Sequence, residues 1–478
     1  MKRISTVAIF LLISLFVTGQ AKYRSITWEK FKVSGPSLKQ IGWLETTHAK
    51  DIKSSIWSVG CETLDRNQAR FDVYKDFVGE LGVKHARLQS GWAKCEKQKG
   101  VYNFAWLDSS VYGLVEQGVN PWICLCYGNS LYKSEIDLGA DLFTAEETMA
   151  GWCRYVETTV ARYKDVVKEW EIWNEPRHRS STEAYANLMI RTSEAIRKVQ
   201  PDATIMGFTV HGFSPGVVAK YPAAVLEILK QKNKLDIVDY VTYHPYTKNP
   251  DDCYPMVDEL KELFHSYNPK IKFYQGESGC PSILEWGHAL TEYPWTEYSQ
   301  AKWVMRRMAG DMIRDIRSSV FTIIDLRYKE MLQSFGLIRS NLLREFIYKR
   351  PSYFGAQNMA GFFSGELKPL GELKYESASS RKLTIAGMKT ENGKVAIIWY
   401  GDKVPTDDLK WDLIDLKVQG LSFKDPVYIE MITGKVFELD KANWQCNNNS
   451  IELKGFPVWD SPVVIAERSQ VILKKDSK

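Results

Sequence analysis

Val167-Lys168-Glu169-Trp170-Glu171-Ile172-Trp173-Asn174-Glu175-Pro176 opens as an apolar, aromatic-rich run and stops at a proline. Behind it, residues Thr182–Val199 set Tyr185, Leu188, Met189 and Ile196 at three- and four-residue spacing, and Thr204–Val210 is again a short apolar run. A strand, an amphipathic helix and a second strand in series predict parallel pairing, because only a crossover of this length returns the chain in the same direction.

The same unit recurs on both sides. Apolar runs fall at 54–60, 84–89, 121–127, 167–173, 204–210, 238–243, 272–277 and 319–325, and helical periods fill gaps such as 66–81, 145–163, 254–264 and 298–316. Eight such pairs predict an α/β chain: an eight-fold (β/α) TIM barrel over 54–363, with reactive groups at the C-terminal strand ends. No glycine fingerprint follows the first run, which argues against an open dinucleotide-binding sheet. Beyond residue 363 the helical period gives way to alternating runs at 382–389, 394–400, 426–432, 435–439 and 463–466. Turn signals at Glu391-Asn392-Gly393 and Thr433-Gly434 separate them, so residues 364–478 are expected to form a C-terminal antiparallel β-sandwich. Residues 22–53 read as an extended segment, and 26–41 would add a strand to that sandwich.

The first residues have a different character. Met1-Lys2-Arg3, an apolar stretch from Val7 to Val17, and Gly19-Gln20-Ala21 follow the order of a cleavable signal peptide, expected over 1–21. That stretch is too short to span a bilayer, and no cysteine precedes Cys61 to carry a lipid, so a secreted or periplasmic protein is expected. Loss of Lys2 and Arg3 lowers the formal charge by two, from +5 to +3, well short of a nucleic-acid binder's basic excess. Eight cysteines show no C-x-x-C pairing, so no zinc site is indicated, and one or two disulfides are compatible with an oxidising compartment. His-Glu-x-x-His and phosphate-loop patterns are absent, so no cofactor is expected. Gly212-Phe213-Ser214-Pro215-Gly216 mimics a serine-hydrolase elbow, but Pro215 lacks the N–H that the oxyanion hole requires.

The chemistry gathers at strand ends. Pro176 biases Glu175 towards extended backbone at the end of the fourth run, and Asn174 offers a donor and an acceptor to a sugar hydroxyl. Glu277, in Gly276-Glu277-Ser278-Gly279, ends the seventh run. Strands four and seven face each other across a barrel mouth, and two opposed acids are what glycoside hydrolysis needs. Tyr243-His244-Pro245-Tyr246 ends the sixth run, placing His244 to hydrogen-bond either the nucleophile or a substrate hydroxyl, with the Tyr246 phenol beside it. Arg87 ends the second run, and inside a barrel it needs an acidic partner, either Glu277 or Glu171. Of Trp92, Trp173, Trp286 and Trp295, Trp173 is the preferred platform for stacking on a pyranose face.

Together these residues resemble the clan A glycoside hydrolases, which carry Asn-Glu-Pro on strand four and a second glutamate on strand seven. The chain looks most like family 39, through Trp173-Asn174-Glu175-Pro176, Val101-Tyr102-Asn103-Phe104, Phe335-Gly336-Leu337 and Pro351-Ser352-Tyr353. The resemblance implies Glu175 as acid/base and Glu277 as nucleophile of a retaining, β-xylosidase-like hydrolase acting on oligo- or polysaccharide. An endo-acting β-glycanase and a catalytically silent carbohydrate-binding barrel are the alternatives. Three positions depart from the family pattern: Gly276-Glu277-Ser278 in place of Thr-Glu-aromatic, Pro245 within the His-x-Tyr stretch, and Ile324-Asp325 in place of a tryptophan. Retention needs carboxyl groups about 5–5.5 Å apart, inversion about 6.5–9.5 Å. Burial and the charge of Glu277 are expected to raise the pKa of Glu175, while an arginine and a tyrosine hydroxyl keep Glu277 ionised.

Overall fold

A computed structural model describes residues 35–133, 145–176, 181–329 and 331–474, so the expected signal peptide lies outside the described residues. Eight parallel strands close into a ring: β1 Trp57–Gly60, β2 His85–Gln89, β3 Asn120–Leu125, β4 Glu169–Ile172, β5 Thr204–Val210, β6 Tyr240–Tyr243, β7 Lys272–Ser278 and β8 Arg317–Val320. Closure is made where Ser318 of β8 pairs with Trp57 of β1. The helices that follow the strands are α1 Phe71–Leu81, α2 Ala105–Glu116, α3 Glu146–Tyr163, α4 Thr182–Val199, α5 Lys220–Gln231, α6 Tyr254–Tyr267, α7 Glu297–Met312 and α8 Pro351–Phe362.

Local chemistry explains the element limits. The Ser181 side chain caps α4 by accepting from the Ala184 N–H, and Arg197 and Lys198 sit in its last turn, opposite in sign to the helix dipole there. The helix expected from residue 66 starts at Phe71, because Leu64–Arg66 form a separate 3-10 turn and Arg70 is extended. The eighth run also ends early. β8 stops at Val320, and Asp325 turns inward to an ion pair with Arg350 (2.7 Å), accepting from the N–H groups of Gly336 and Ser340 as well.

Beyond the barrel lie two antiparallel sheets. A seven-stranded sheet runs in the order Lys39–Trp43, Lys435–Glu438, Pro426–Glu430, Val463–Glu467, Gly393–Tyr400, Leu383–Thr390, Lys368–Glu372. The N-terminal strand thus pairs with the C-terminal sandwich, Lys39 opposite Glu438. The second sheet holds Tyr375–Ser377, Asp412–Gln419, Ser450–Val458 and Trp444–Asn447. Ile414, Leu416 and Val418 turn to the core while Asp415 and Gln419 face out, the period-two pattern of a half-buried strand.

Barrel and sandwich meet across α7. Lys302 and Arg306 of this helix are buried, and they pair with Asp460 (2.5 Å) and Asp251 (2.6 Å). Trp399, from the seven-stranded sheet, donates its indole N–H to the same Asp251 at 2.9 Å. All eight cysteines are free thiols, so no disulfide adds to this packing. Among the described residues no helix is long and apolar enough to cross a membrane.

Candidate active site

Arg87 on β2 organises the C-terminal face of the barrel. It is fully buried, and a guanidinium out of water must have its donors matched. Nε and Nη2 donate to Glu171 Oε2 (2.9 and 2.5 Å), Nη1 to Glu62 Oε1 (2.9 Å) and Glu277 Oε2 (2.8 Å), and Nη2 to Asn174 Oδ1 (2.9 Å). Both acids expected as its partner are therefore bound, together with two groups that were not expected. Arg87 lies under the pocket rather than on its wall, so it positions other groups and does not touch substrate, contrary to the sequence-based expectation.

Past Ile172 the chain leaves β4 in a tight turn. Trp173 and Glu175 have φ of 67° and 48°, in the left-handed region, and not the extended backbone expected before Pro176. Proline disfavours the right-handed helical region for the residue before it, and here the chain takes the left-handed one. Such conformations cost about 1–3 kcal/mol each and persist only where neighbours hold them. Here Trp173 donates N–H to Leu125 O (3.1 Å), Thr209 donates Oγ1–H to Trp173 O (2.9 Å), and Arg87 fixes Asn174.

The turn sends Trp173 inward. Its ring is 1% exposed and meets Tyr127 and Trp152 edge-on at 5.7 and 5.8 Å. Trp173 is thus a packing residue and not a sugar platform, which corrects the expectation. Trp92 and Trp295 are also buried, and Trp286 is exposed on the loop after β7 but is not on the pocket wall.

Glu175 and Glu277 share one pocket of about 410 Å³ with Asn174, His244 and Tyr246. Tyr246 donates its hydroxyl to Glu277 Oε1 at 2.7 Å, while Arg87 holds Oε2. His244 Nδ1 lies 2.7 Å from Glu175 Oε1 and 3.8 Å from Glu277 Oε2. The imidazole therefore bonds to Glu175, neither of the two partners expected from sequence. Pro245 between the two side chains is tethered through its carbonyl to Arg307 (3.1 Å). One ligating atom each of Glu175, His244 and Glu277 lies within 4.8 Å of the others. The same three could share a metal ion, but their facing atoms are already engaged by hydrogen bonds.

The charges follow from this geometry. Burial opposes ionisation of Glu175, but the hydrogen bond and charge of His244 outweigh it and hold the carboxyl down to about 2. That is opposite to the expected direction, because a cation and not Glu277 is its nearest partner. Burial works against protonation of His244, yet Glu277 and Glu175 together push its pKa up. Burial and the neighbouring Glu277 raise the Tyr246 phenol far above its ordinary value, so it stays a donor.

Sequence reasoning missed Glu62, His211 and Tyr328 on the pocket wall. Glu62 and His211 lie just past β1 and β5, so the strand-end rule that found Glu175 applies to them too. Tyr328 sits on the small hairpin Leu326–Tyr328/Met331–Gln333, which no local signal announced. A hollow of about 480 Å³ on the outer face of the four-stranded sheet shares none of this chemistry. In it Lys417 and Gln445 both pair with Glu452.

A closed barrel with a C-terminal sandwich, and with Glu175 and Glu277 just past β4 and at β7, is the arrangement expected from the resemblance to clan A glycoside hydrolases. Residues 67–265 match the glycosyl hydrolases family 39. The chain is similar to a family 39 glycoside hydrolase of the gut symbiont Bacteroides cellulosilyticus WH2, with TM-score 0.63 and 15% identity, over 90% of this chain and 83% of that one. A monomeric beta-xylosidase of Caulobacter crescentus CB15 is similar at TM-score 0.56 and 16% identity, over 89% of this chain and 97% of that one. These likenesses establish the fold. Among curated proteins, the aryl-phospho-beta-D-glucosidase BglA of Bacillus subtilis (strain 168) is 20% identical over 232 residues, 46% of this chain and 47% of that protein. The chain thus spans about half the length of the curated relative it matches.

Proposed function

We propose that the protein is a retaining β-glycosidase in which Glu277 is the nucleophile and Glu175 the acid/base. The single observation that carries this reading is the proximity of the two acids: one oxygen of each lies within 4.8 Å of the other, so both reach the same glycosidic bond, as direct attack by one and proton donation by the other require. Glu277, held by Arg87 and Tyr246, has both oxygens hydrogen-bonded and cannot swing from its line of attack. It attacks the anomeric carbon as the bond to the leaving oxygen breaks, and the leaving oxygen takes a proton from Glu175. A water, deprotonated by Glu175, then displaces Glu277 and releases the sugar.

The proton comes from the His244–Glu175 pair. In the free site the charge of Glu277 keeps it on the imidazole, 3.8 Å away. As Glu277 becomes an ester that charge is consumed, its hold on His244 weakens, and the proton crosses the 2.7 Å hydrogen bond to Glu175. Acid strength thereby rises as nucleophilic attack proceeds.

The substrate class proposed is a β-xyloside or a related neutral β-glycoside, supported by the family resemblance and by the similar Caulobacter beta-xylosidase. The order of charge, apolar stretch and small residues over 1–21 supports action outside the cytoplasm. Purified protein assayed on aryl β-xylosides, aryl β-glucosides and xylan should release reducing sugar. Binding of these sugars without release would instead make the barrel a silent carbohydrate-binding protein.

A further inference from the structure

The turn after β1 carries a third acid into the pocket. Cys61 donates its N–H to Arg87 O (2.8 Å), Thr63 takes a left-handed φ of 63°, and the Thr63 N–H is held by Gln89 Oε1 (3.2 Å). The residue between them, Glu62, is 2% exposed yet forms part of the pocket wall with Glu175 and Glu277.

Arg87 Nη1 is divided between Glu62 Oε1 (2.9 Å) and Glu277 Oε2 (2.8 Å), so the two carboxyl groups flank one nitrogen. Glu62 and Glu277 therefore lie side by side on the wall of the same pocket. Structure alone does not call for this acid. Arg87 is already paired with Glu171 and Glu277, and a further buried acid divides its Nη1 with Glu277.

We propose that Glu62 is a specificity-determining residue: anchored on Arg87 beside Glu277, its carboxyl group hydrogen-bonds a hydroxyl of the sugar in the pocket. The assignment rests on the hydrolase reading of the same site.

Electrostatics supports the role and sets its form. Burial pushes Glu62 up to about 8, Arg87 pulls the other way, and Glu277 adds to the rise. The other groups facing it are His244 and Tyr246 after β6, Tyr328 after β8, and Cys61 and Tyr74 behind it. At neutral pH Glu62 is thus a carboxylic acid. Oε1 accepts from Arg87, which leaves the proton on Oε2 as a donor to the sugar. That donor is lost as pH rises through about 8, so KM should climb there.

Two variants test this, Glu62→Ala and Glu62→Gln, on aryl β-glycosides in which one ring hydroxyl at a time is replaced by hydrogen. A site built to bond a hydroxyl discriminates strongly against its absence. Glu62→Ala should lose roughly 10- to 100-fold in kcat/KM on the parent but less than about 3-fold on the one analogue lacking the contacted hydroxyl. Glu62→Gln, which keeps a neutral donor, should stay within about 5-fold of wild type and lose the rise in KM above pH 8. Equal losses on every analogue would overturn the assignment and make Glu62 a positioning residue for Arg87. Calorimetric binding of the matching neutral sugar lactams needs no turnover. An inactive wild type would therefore sink the hydrolase reading, while the lactam series still decides for or against Glu62.

Discussion

His244 stands between the two acids, 2.7 Å from Glu175 Oε1 and 3.8 Å from Glu277 Oε2 through the same ring nitrogen, Nδ1. One imidazole thereby senses the charge of one carboxylate and shares a proton with the other. The working form of the pair holds one proton, which is lost as pH rises through the elevated pKa of His244, while a second is gained only near pH 2. The kcat/KM profile of the wild type should therefore fall on the alkaline side above about pH 6.5. Replacing His244 with Phe removes the shared imidazole proton and leaves Glu175 to titrate alone, with burial now favouring its neutral form. The alkaline limb should move, and poor leaving groups should suffer at least about 10-fold. An unchanged profile in that variant would contradict the shared proton.

The same pair predicts a stability window. Glu175 is depressed, so its contribution is present above its unfolded pKa near 4.5 and is lost as pH falls towards about 2. His244 is raised, so its contribution is complete below its unfolded value near 6.5 and is lost as pH climbs through the folded one. The melting temperature of wild type relative to His244→Phe should be highest between about pH 4.5 and 6.5. A pH-independent difference would count against the ion pair.

Removing the acids separately should separate their roles. Glu277→Gln should abolish turnover on all substrates. Glu175→Gln should slow substrates with poor leaving groups by 10²-fold or more, in the range of general acid catalysis, and spare those with good ones. Equal loss on both kinds of substrate would argue against the assignment.

Arg87 cannot be replaced even by Lys. A single ammonium cannot serve Glu62, Glu171, Asn174 and Glu277 at once from its place under the pocket. Arg87→Met should destabilise the barrel by about 3–5 kcal/mol in denaturant unfolding, the usual result of stranding buried carboxylates. A neutral effect would show that Arg87 does not hold these acids in place.

Trp173→Ala distinguishes packing from stacking. The ring fills space between Tyr127 and Trp152, so its loss should cost about 3–5 kcal/mol of stability. The folded fraction should keep a near-normal KM. A large rise in KM at unchanged stability would restore it as a sugar platform.

Much of this fold is legible in the sequence. Strands covered on both faces become unbroken apolar runs, which is why all eight appeared in sequence, and an acid lying where such a run meets Pro176 or Gly279 marks a rim position. Side-chain direction was not legible. Whether Trp173 points in or out depends on a φ of 67° that its residue type does not record. The same turn moved Glu175 within reach of His244 and so reversed its expected titration. The helical period at 298–316 gave no sign that Lys302 and Arg306 would be buried in ion pairs with Asp460 and Asp251. Glu62 was passed over although it lies two residues past Gly60, the end of β1, because no second motif residue stands beside it as Asn174 stands beside Glu175.

The most direct test is the configuration of the sugar first released from a β-linked substrate, followed by proton NMR before mutarotation. Double displacement on Glu277 predicts that the β anomer appears first and the α anomer grows in later. An α anomer formed first would contradict direct attack by Glu277 and, with it, the pairing of the two acids on which the mechanism stands.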